Sequence, residues 1–352
     1  MAAEPLPEVS PSPPPSWSRI VRLDDVAREF TFQTYIAGDA GPTLLLLHGA
    51  GQSALVWSLI AQRMSHMVRV VAFDQRAHGG TGGCEGDLSA VQLVDDVVHV
   101  AAAVRASLGV APDSPLMLVG HSMGGAIAAR AGASGRISGL CGVGVVDVVE
   151  GTALAALQHM HGVLARRPQS FASCDEAVGW SVHSGSVRST LSANLSVPSQ
   201  LVQRPGSPAW RWRTDLAATE KHWRGWFEGL SAVFLSAPVP KVLLLAGTDR
   251  LDKALTIAQM QGKFQLVILG DCGHQVHEEK PDDVAQKLLA FLSRQGLVEG
   301  TGGGGRGGGG GGRRRGPSAL FPGTTRGGAQ RHETFEEKLA RAKAMKPGRG
   351  GP

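Results

Sequence analysis

The sequence predicts an α/β fold, a mostly parallel central sheet flanked by helices. Three observations carry that prediction. Short runs of Leu, Val and Ile recur between residues 42 and 270 without polar alternation, as strands covered on both faces require. Amphipathic stretches of helical period separate them, which makes the connections crossovers and the strands parallel. The oily runs give way to Gly, His or Asp, so polar chemistry collects at one edge of the sheet, where such folds bind ligands.

In chain order, residues 1–18 are acidic and proline-rich and are expected to form a disordered leader. They lack the apolar core of a signal peptide. The folded domain is expected over 19–298. Its candidate strands are PTLLLLH (42–48), VRVVAFD (68–74), LMLVGH (116–121), GVGVVDV (142–148), KVLLLAG (241–247) and FQLVILG (264–270). Helical spacing marks LSAVQLVDDVVHVAAAVRASLG (88–109) and DDVAQKLLAFLSRQG (282–296). The interval 151–236 is too long for one crossover and reads as a mostly helical cap. Its first helix is GTALAALQHMHGVLARRP, stopped by Pro168, and its last is DLAATEKHWRGWFEGLSAVFL, with a Ser/Pro/Gly-rich stretch between.

Charge is unevenly placed. Residues 301–352 hold 11 Lys/Arg against 3 Glu, whereas the first 300 residues carry 24 against 27 acidic side chains, so the net +5 belongs to the tail. Residues 299–352 are expected to be a flexible glycine/arginine-rich tail that contacts acidic partners non-specifically. Four cysteines without a C-x-x-C pair make no disulfide framework. No apolar run reaches the length of a membrane span. The expected compartment is cytoplasmic or nuclear, with no metal site and no cofactor.

The chemistry concentrates in GHSMGG (120–125). A strand runs into Gly120-His121, a helix starts at Met123, and Ser122 stands at the bend. This is the G-x-S-x-G nucleophile elbow, and it turns the α/β prediction into an α/β-hydrolase fold. Gly120 and Gly124 are needed where a β-carbon would collide with a neighbouring element. Such a serine needs an oxyanion hole, a base and an acid. HGAG (48–51) follows the first oily strand and offers the backbone N–H of Ala50, with Gly49 and Gly51 as neighbouring donors, to pair with that of Met123. The base is His274, after the last oily strand. His277, three positions on, falls at the next helix and takes a surface or packing part. Two acids compete. Asp147 lies 25 residues after Ser122 and Asp249 lies 25 before His274; generic α/β-hydrolases take the acid from the later strand, which favours Asp249. Trp210, Trp212, Trp223 and Trp226 either pack the cap or line the cleft, and Glu150 is a helix-start carboxylate.

Longer words are more specific than the fold. HSMGGAIA, VVDVVEGTALAAL, TEKHWRGWFEGLS, AGTDRLDK and CGHQVHEEKPDD closely resemble the protein phosphatase methylesterase family over about residues 16–297. The resemblance implies a serine carboxylesterase that removes the methyl ester from the carboxy-terminal leucine of the protein phosphatase 2A catalytic subunit. It also implies Ser122 as nucleophile, Asp147 rather than Asp249 as acid, and His274 as base. Departures are HGAG for the family's HGGG, no basic residue within SANLSVPSQLVQ, an insertion shortened to RPGSP, and the tail itself. A small-molecule carboxylesterase on the same triad and a mainly non-catalytic phosphatase-binding protein are the alternatives.

Overall fold

The computed structural model describes residues 16–25, 30–81, 86–247 and 251–299. Its strands are β1 (Arg19–Asp25), β2 (Phe30–Ala37), β3 (Thr43–Leu47), β4 (Arg69–Phe73), β5 (Leu116–His121), β6 (Leu140–Val146), β7 (Leu201–Gln203), β8 (Trp210–Trp212), β9 (Lys241–Leu245) and β10 (Gln265–Ile268). Its helices are α1 (Ser58–Met64), α2 (Ala90–Leu108), α3 (Met123–Ala133), α4 (Glu150–Ala165), α5 (Cys174–His183), α6 (Thr190–Ser196), α7 (Glu220–Phe227), α8 (Leu230–Ser236), α9 (Lys253–Met260), α10 (Val276–Glu279) and α11 (Pro281–Arg294).

Among the described residues, eight strands form one sheet in the order β1-β2-β4-β3-β5-β6-β9-β10. From β4 to β10 the pairs are parallel, and β2 is antiparallel to both its neighbours. The chain leaves β3 for β4 on one side and then crosses back to β5 on the other. That reversal opens a crevice at the carboxyl ends of β3 and β5.

The continuous oily runs are explained by two cores. Leu45 and Leu47 of β3, Leu118 of β5 and Val145 of β6 face α2, α3 and α8. Leu44, Leu46, Met117, Val119 and Val146 face α1 and α11. Leu44 to Leu47 have no exposed surface at all, and truncating any of them to Ala would cost about 2–5 kcal/mol.

Several expectations need correction. Trp17, inside the expected leader, is buried against Tyr35 and donates its indole N–H to the Ser58 hydroxyl at 3.0 Å, so the packed chain begins before residue 19. The antiparallel pair β1–β2 is not among the expected strands, because charged side chains interrupt the half-buried β1 and Thr and Gln interrupt the apolar run of β2. The expected single helix at 215–235 breaks at Glu228-Gly229 into α7 and α8, since Gly229 takes a left-handed φ of 76°. Between the outer cap helices the Ser/Pro/Gly-rich stretch makes α6 and an antiparallel ribbon of β7 and β8.

The interval 151–236 divides by packing. Phe171, Val178, Val187, Val197 and Leu201 form a small separate core, while Trp223, Trp226 and Phe234 join the main one. All four tryptophans pack: Trp226 donates to the Leu88 carbonyl (2.7 Å), Trp223 to the Thr219 hydroxyl (2.8 Å), and Trp210 and Trp212 lean on the small core, with the Arg167 guanidinium 4.0 Å over the Trp212 ring. Glu150 opens α4, but its carboxylate accepts from the N–H groups of Gly229 (2.8 Å) and Ser231 (3.0 Å) and so caps α8. Among the described residues, no helix is long and apolar enough to cross a membrane. Asp249 and residues 300–352 lie outside the described residues, as do residues 1–15.

Candidate active site

The crevice between β3 and β5 is where the polar words of the sequence meet. At the end of β5, Ser122 sits at φ 53°, ψ −120° and α3 begins at the next residue. A non-glycine residue with positive φ costs about 1–3 kcal/mol, so something must hold it. Its N–H donates to the Val146 carbonyl (3.0 Å), and its own carbonyl accepts from Ala126 (3.1 Å). The flanking glycines are steric requirements. A β-carbon on Gly120 would lie 2.1 Å from the Gly124 carbonyl oxygen, and one on Gly124 would lie 2.4 Å from that of His48.

Asp147 follows β6 and is also left-handed, at φ 52°. Its side chain has no exposed surface. One carboxylate oxygen accepts from the Ala246 N–H at 2.9 Å, and the other from His274 Nδ1 at 2.7 Å. The proton on Nδ1 leaves Nε2 of His274 with a free lone pair, as a general base needs. The His274 side chain is 49% exposed and that of Asp147 not at all, so the histidine stands at the open side of the pair and the carboxylate at the closed side. The Ser122 hydroxyl makes no hydrogen bond among the described residues.

The loop after β3 lies against the elbow, where a β-carbon on Gly49 would come within 3.4 Å of Ser122 Cβ. The expected donors separate here. Gly49 N–H is taken by Gln52 Oε1 (2.8 Å) and Gly51 N–H by His78 Nε2 (2.8 Å). Neither is free for an oxyanion, which corrects their inclusion. Ala50 N–H and Met123 N–H, by contrast, have no protein acceptor among the described residues, and Met123 begins α3, whose N-terminus favours negative charge.

Beneath this surface lies a layer of buried polar side chains that motif reading missed. His48 Nδ1 donates to the Gly49 carbonyl (2.8 Å) while its Nε2 accepts from Gln75 N–H (2.9 Å). Asp74 accepts from the N–H groups of Ala54 (2.7 Å) and Gly80 (2.8 Å). Burial pushes Asp74 up to about 6 against those bonds. Burial lowers His78 to about 4 and holds His48 well below the usual imidazole range.

On the base side, His277 is wholly buried, its ring 4.2 Å from Trp57 and 4.5 Å from His121. It packs and does not reach the surface, and burial lowers it to about 3. Glu278 accepts at Oε1 from the Ser192 (2.7 Å) and Ser196 (2.8 Å) hydroxyls of α6, while its buried Oε2 has no partner. Burial raises it to about 7. The signal for these residues was a polar side chain set in an oily word, His48 after LLLL and His121 after LMLVG, but only tertiary contact assigns them partners. Among the described residues, no cluster of three or more His, Cys, Asp or Glu could hold a metal ion.

The alpha/beta hydrolase family model matches residues 44–287. Protein phosphatase methylesterase 1 of Bos taurus is 43% identical over 326 residues, covering 80% of this chain and 85% of that protein. The Schizosaccharomyces pombe protein of that name is 44% identical over 259 residues, covering 72% and 75%. Among solved structures, E-2-(acetamidomethylene)succinate hydrolase superimposes with a TM-score of 0.67 at 20% identity, covering 78% of this chain and 99% of that one. At that identity the last likeness speaks for the fold alone.

Proposed function

Because the chain belongs to the protein phosphatase methylesterase family of alpha/beta hydrolases and is an esterase, we propose that it demethylates the carboxy-terminal leucine methyl ester of the protein phosphatase 2A catalytic subunit through an acyl-enzyme on Ser122. The observation that carries the mechanism is the 2.7 Å bond from His274 Nδ1 to buried Asp147, formed beside a serine held at positive φ.

His274 Nε2 takes the Ser122 proton as Oγ attacks the ester carbonyl. The tetrahedral oxyanion lies between Ala50 N–H and Met123 N–H. Collapse expels the methoxy group, which leaves as methanol with the proton from His274. Water, deprotonated by the same nitrogen, then attacks the acyl-enzyme and releases the leucine carboxylate and Ser122. Asp147 stays ionised throughout and steadies the imidazolium. On this reading the catalytic domain expected over 19–298 extends back to about residue 16, because Trp17 packs on Tyr35 and bonds Ser58. Among the described residues Cys141, Cys174 and Cys272 are free, which supports a reducing compartment, cytoplasm or nucleus.

The test compares a methyl-esterified peptide ending in leucine with a simple aryl ester, for the parent and Ser122→Ala. The expected result is a kcat/KM preference for the peptide, and loss of more than about a thousandfold in turnover on both substrates in the variant. Equal or better kcat/KM on the aryl ester with no preference for leucine would point to a small-molecule carboxylesterase instead. Binding of the phosphatase without turnover of either ester would make it a docking protein.

A further inference from the structure

Gln52 touches three parts of the site that the chain supplies from far apart. Its Oε1 accepts from Gly49 N–H at 2.8 Å, in the loop that carries Ala50. The same oxygen lies 3.2 Å from His121 Nδ1, one residue before the nucleophile. Its Nε2 donates to the Gln275 side chain at 2.7 Å, one residue after the base. The packing leaves little freedom: a β-carbon on Gly49 would meet Gln52 Oε1 at 2.7 Å and His121 Nδ1 at 3.1 Å. The amide cannot turn over, because only its oxygen can accept from Gly49 N–H.

His121 completes the bridge. Its other nitrogen, Nε2, lies 2.9 Å from the main-chain carbonyl oxygen of His274. Both ring nitrogens therefore face oxygen acceptors. Burial, with the rings of His277 and His274 alongside, holds His121 far below the usual imidazole range, so it is neutral and carries one N–H. Only one of its two contacts is a hydrogen bond at any moment. A proton on Nδ1 ties the ring to Gln52 and the oxyanion loop; a proton on Nε2 ties it to the base loop.

We propose that Gln52 is a positioning residue for the esterase reaction, and that with His121 it forms a tautomer-dependent strut fixing the Ala50 N–H relative to His274. Gln52 touches no substrate; it acts by pinning the Gly49 N–H, in the peptide unit next to the one that carries the Ala50 N–H. The pinned loop matters most when charge develops on the substrate oxygen, so losing the strut lowers kcat and not affinity. This inference rests on the Ser122 and oxyanion assignment above.

Gln52→Leu keeps the bulk and removes both polar atoms, whereas Gln52→Glu keeps the acceptor for Gly49 and His121. Each is assayed on an aryl ester beside Ser122→Ala, and 15N-histidine NMR of the full chain reads the His121 tautomer. Gln52→Leu is expected to lower kcat about a hundredfold with KM within about twofold, and to move the His121 proton to Nε2. Gln52→Glu is expected to recover most of kcat with the proton on Nδ1. A folded Gln52→Leu with kcat within about threefold of the parent, or with its loss confined to KM, overturns the proposal. If that variant does not fold, Gln52→Glu decides: a His121 proton on Nε2, or a kcat lost with the proton on Nδ1, overturns the strut, and a proton on Nδ1 with kcat retained supports it. An active Ser122→Ala would instead overturn the site assignment, leaving the NMR comparison to judge the strut alone.

Discussion

Asp147→Asn removes one charge and no volume, and the structure dictates how the change propagates. Asp147 Oδ1 accepts from Ala246 N–H and Oδ2 from His274 Nδ1. Asparagine has one oxygen. The Ala246 N–H is part of the rigid end of β9, so the oxygen stays there and the NH2 group turns towards His274. Nδ1 must then accept, which moves the imidazole proton to Nε2, the nitrogen that has to take the Ser122 proton. The base is present in the wrong tautomer. A loss of about 10⁴ in kcat is expected, about 5.5 kcal/mol of transition-state stabilisation, with KM little changed and the fold intact. Turnover of an aryl ester, thermal unfolding and 15N shifts of His274 measure the three parts. Asp249→Asn serves as the paired control and should cost far less. If Asp147→Asn stays within tenfold of the parent while Asp249→Asn is crippled, the acid comes from the later strand and the reasoning fails.

Two further outcomes follow from the buried carboxylate and the tail. Glu278 is raised to about 7 by burial, so between about pH 4.5 and 7 the folded chain binds more protons there than the unfolded chain, and its share of stability falls as pH rises. The Glu278→Gln variant keeps an acceptor for Ser192 and Ser196; denaturant titrations at pH 5 and pH 8 should show the parent losing on the order of 2–3 kcal/mol relative to it, and parallel stability curves would refute the assignment. A chain ending at Gly300 should hydrolyse an aryl ester at the parent rate, since no triad candidate follows Leu297. Any effect of the eight net positive charges of 301–352 should appear only on the phosphatase and fade with salt; an equal loss on both substrates at both salts would show that the catalytic domain ends further on.

The α/β class and the elbow were legible because each rests on local pattern. An unbroken LLLL or VGVV run has few uses other than a strand covered on both faces, and Gly120 and Gly124 flank Ser122 at the spacing that the strand–helix bend demands. His274 stood out as the candidate base for the same reason, being a Gly-His pair after the last oily strand. The acid was not. Asp147 and Asp249 stand at equal sequence distances from their partners, and family resemblance ranked them in favour of Asp147. That Asp147 pairs with a histidine 127 positions away is read from a 2.7 Å contact, which no spacing rule contains. The same holds for the N–H donors of the HGAG loop. Sequence gives Gly49, Ala50 and Gly51 equal standing, and only the side chains of Gln52 and His78, brought in by folding, remove two of the three. Gly229 breaks an otherwise helical stretch because a left-handed turn there lets Trp226 and Phe234 both enter the main core. Periodicity could place neither side chain in that core. Local pattern determined which chemistry the chain carries; which nitrogen, oxygen and N–H perform it was decided by distances of about 3 Å between residues far apart in sequence, because hydrogen bonds are short-ranged and directional.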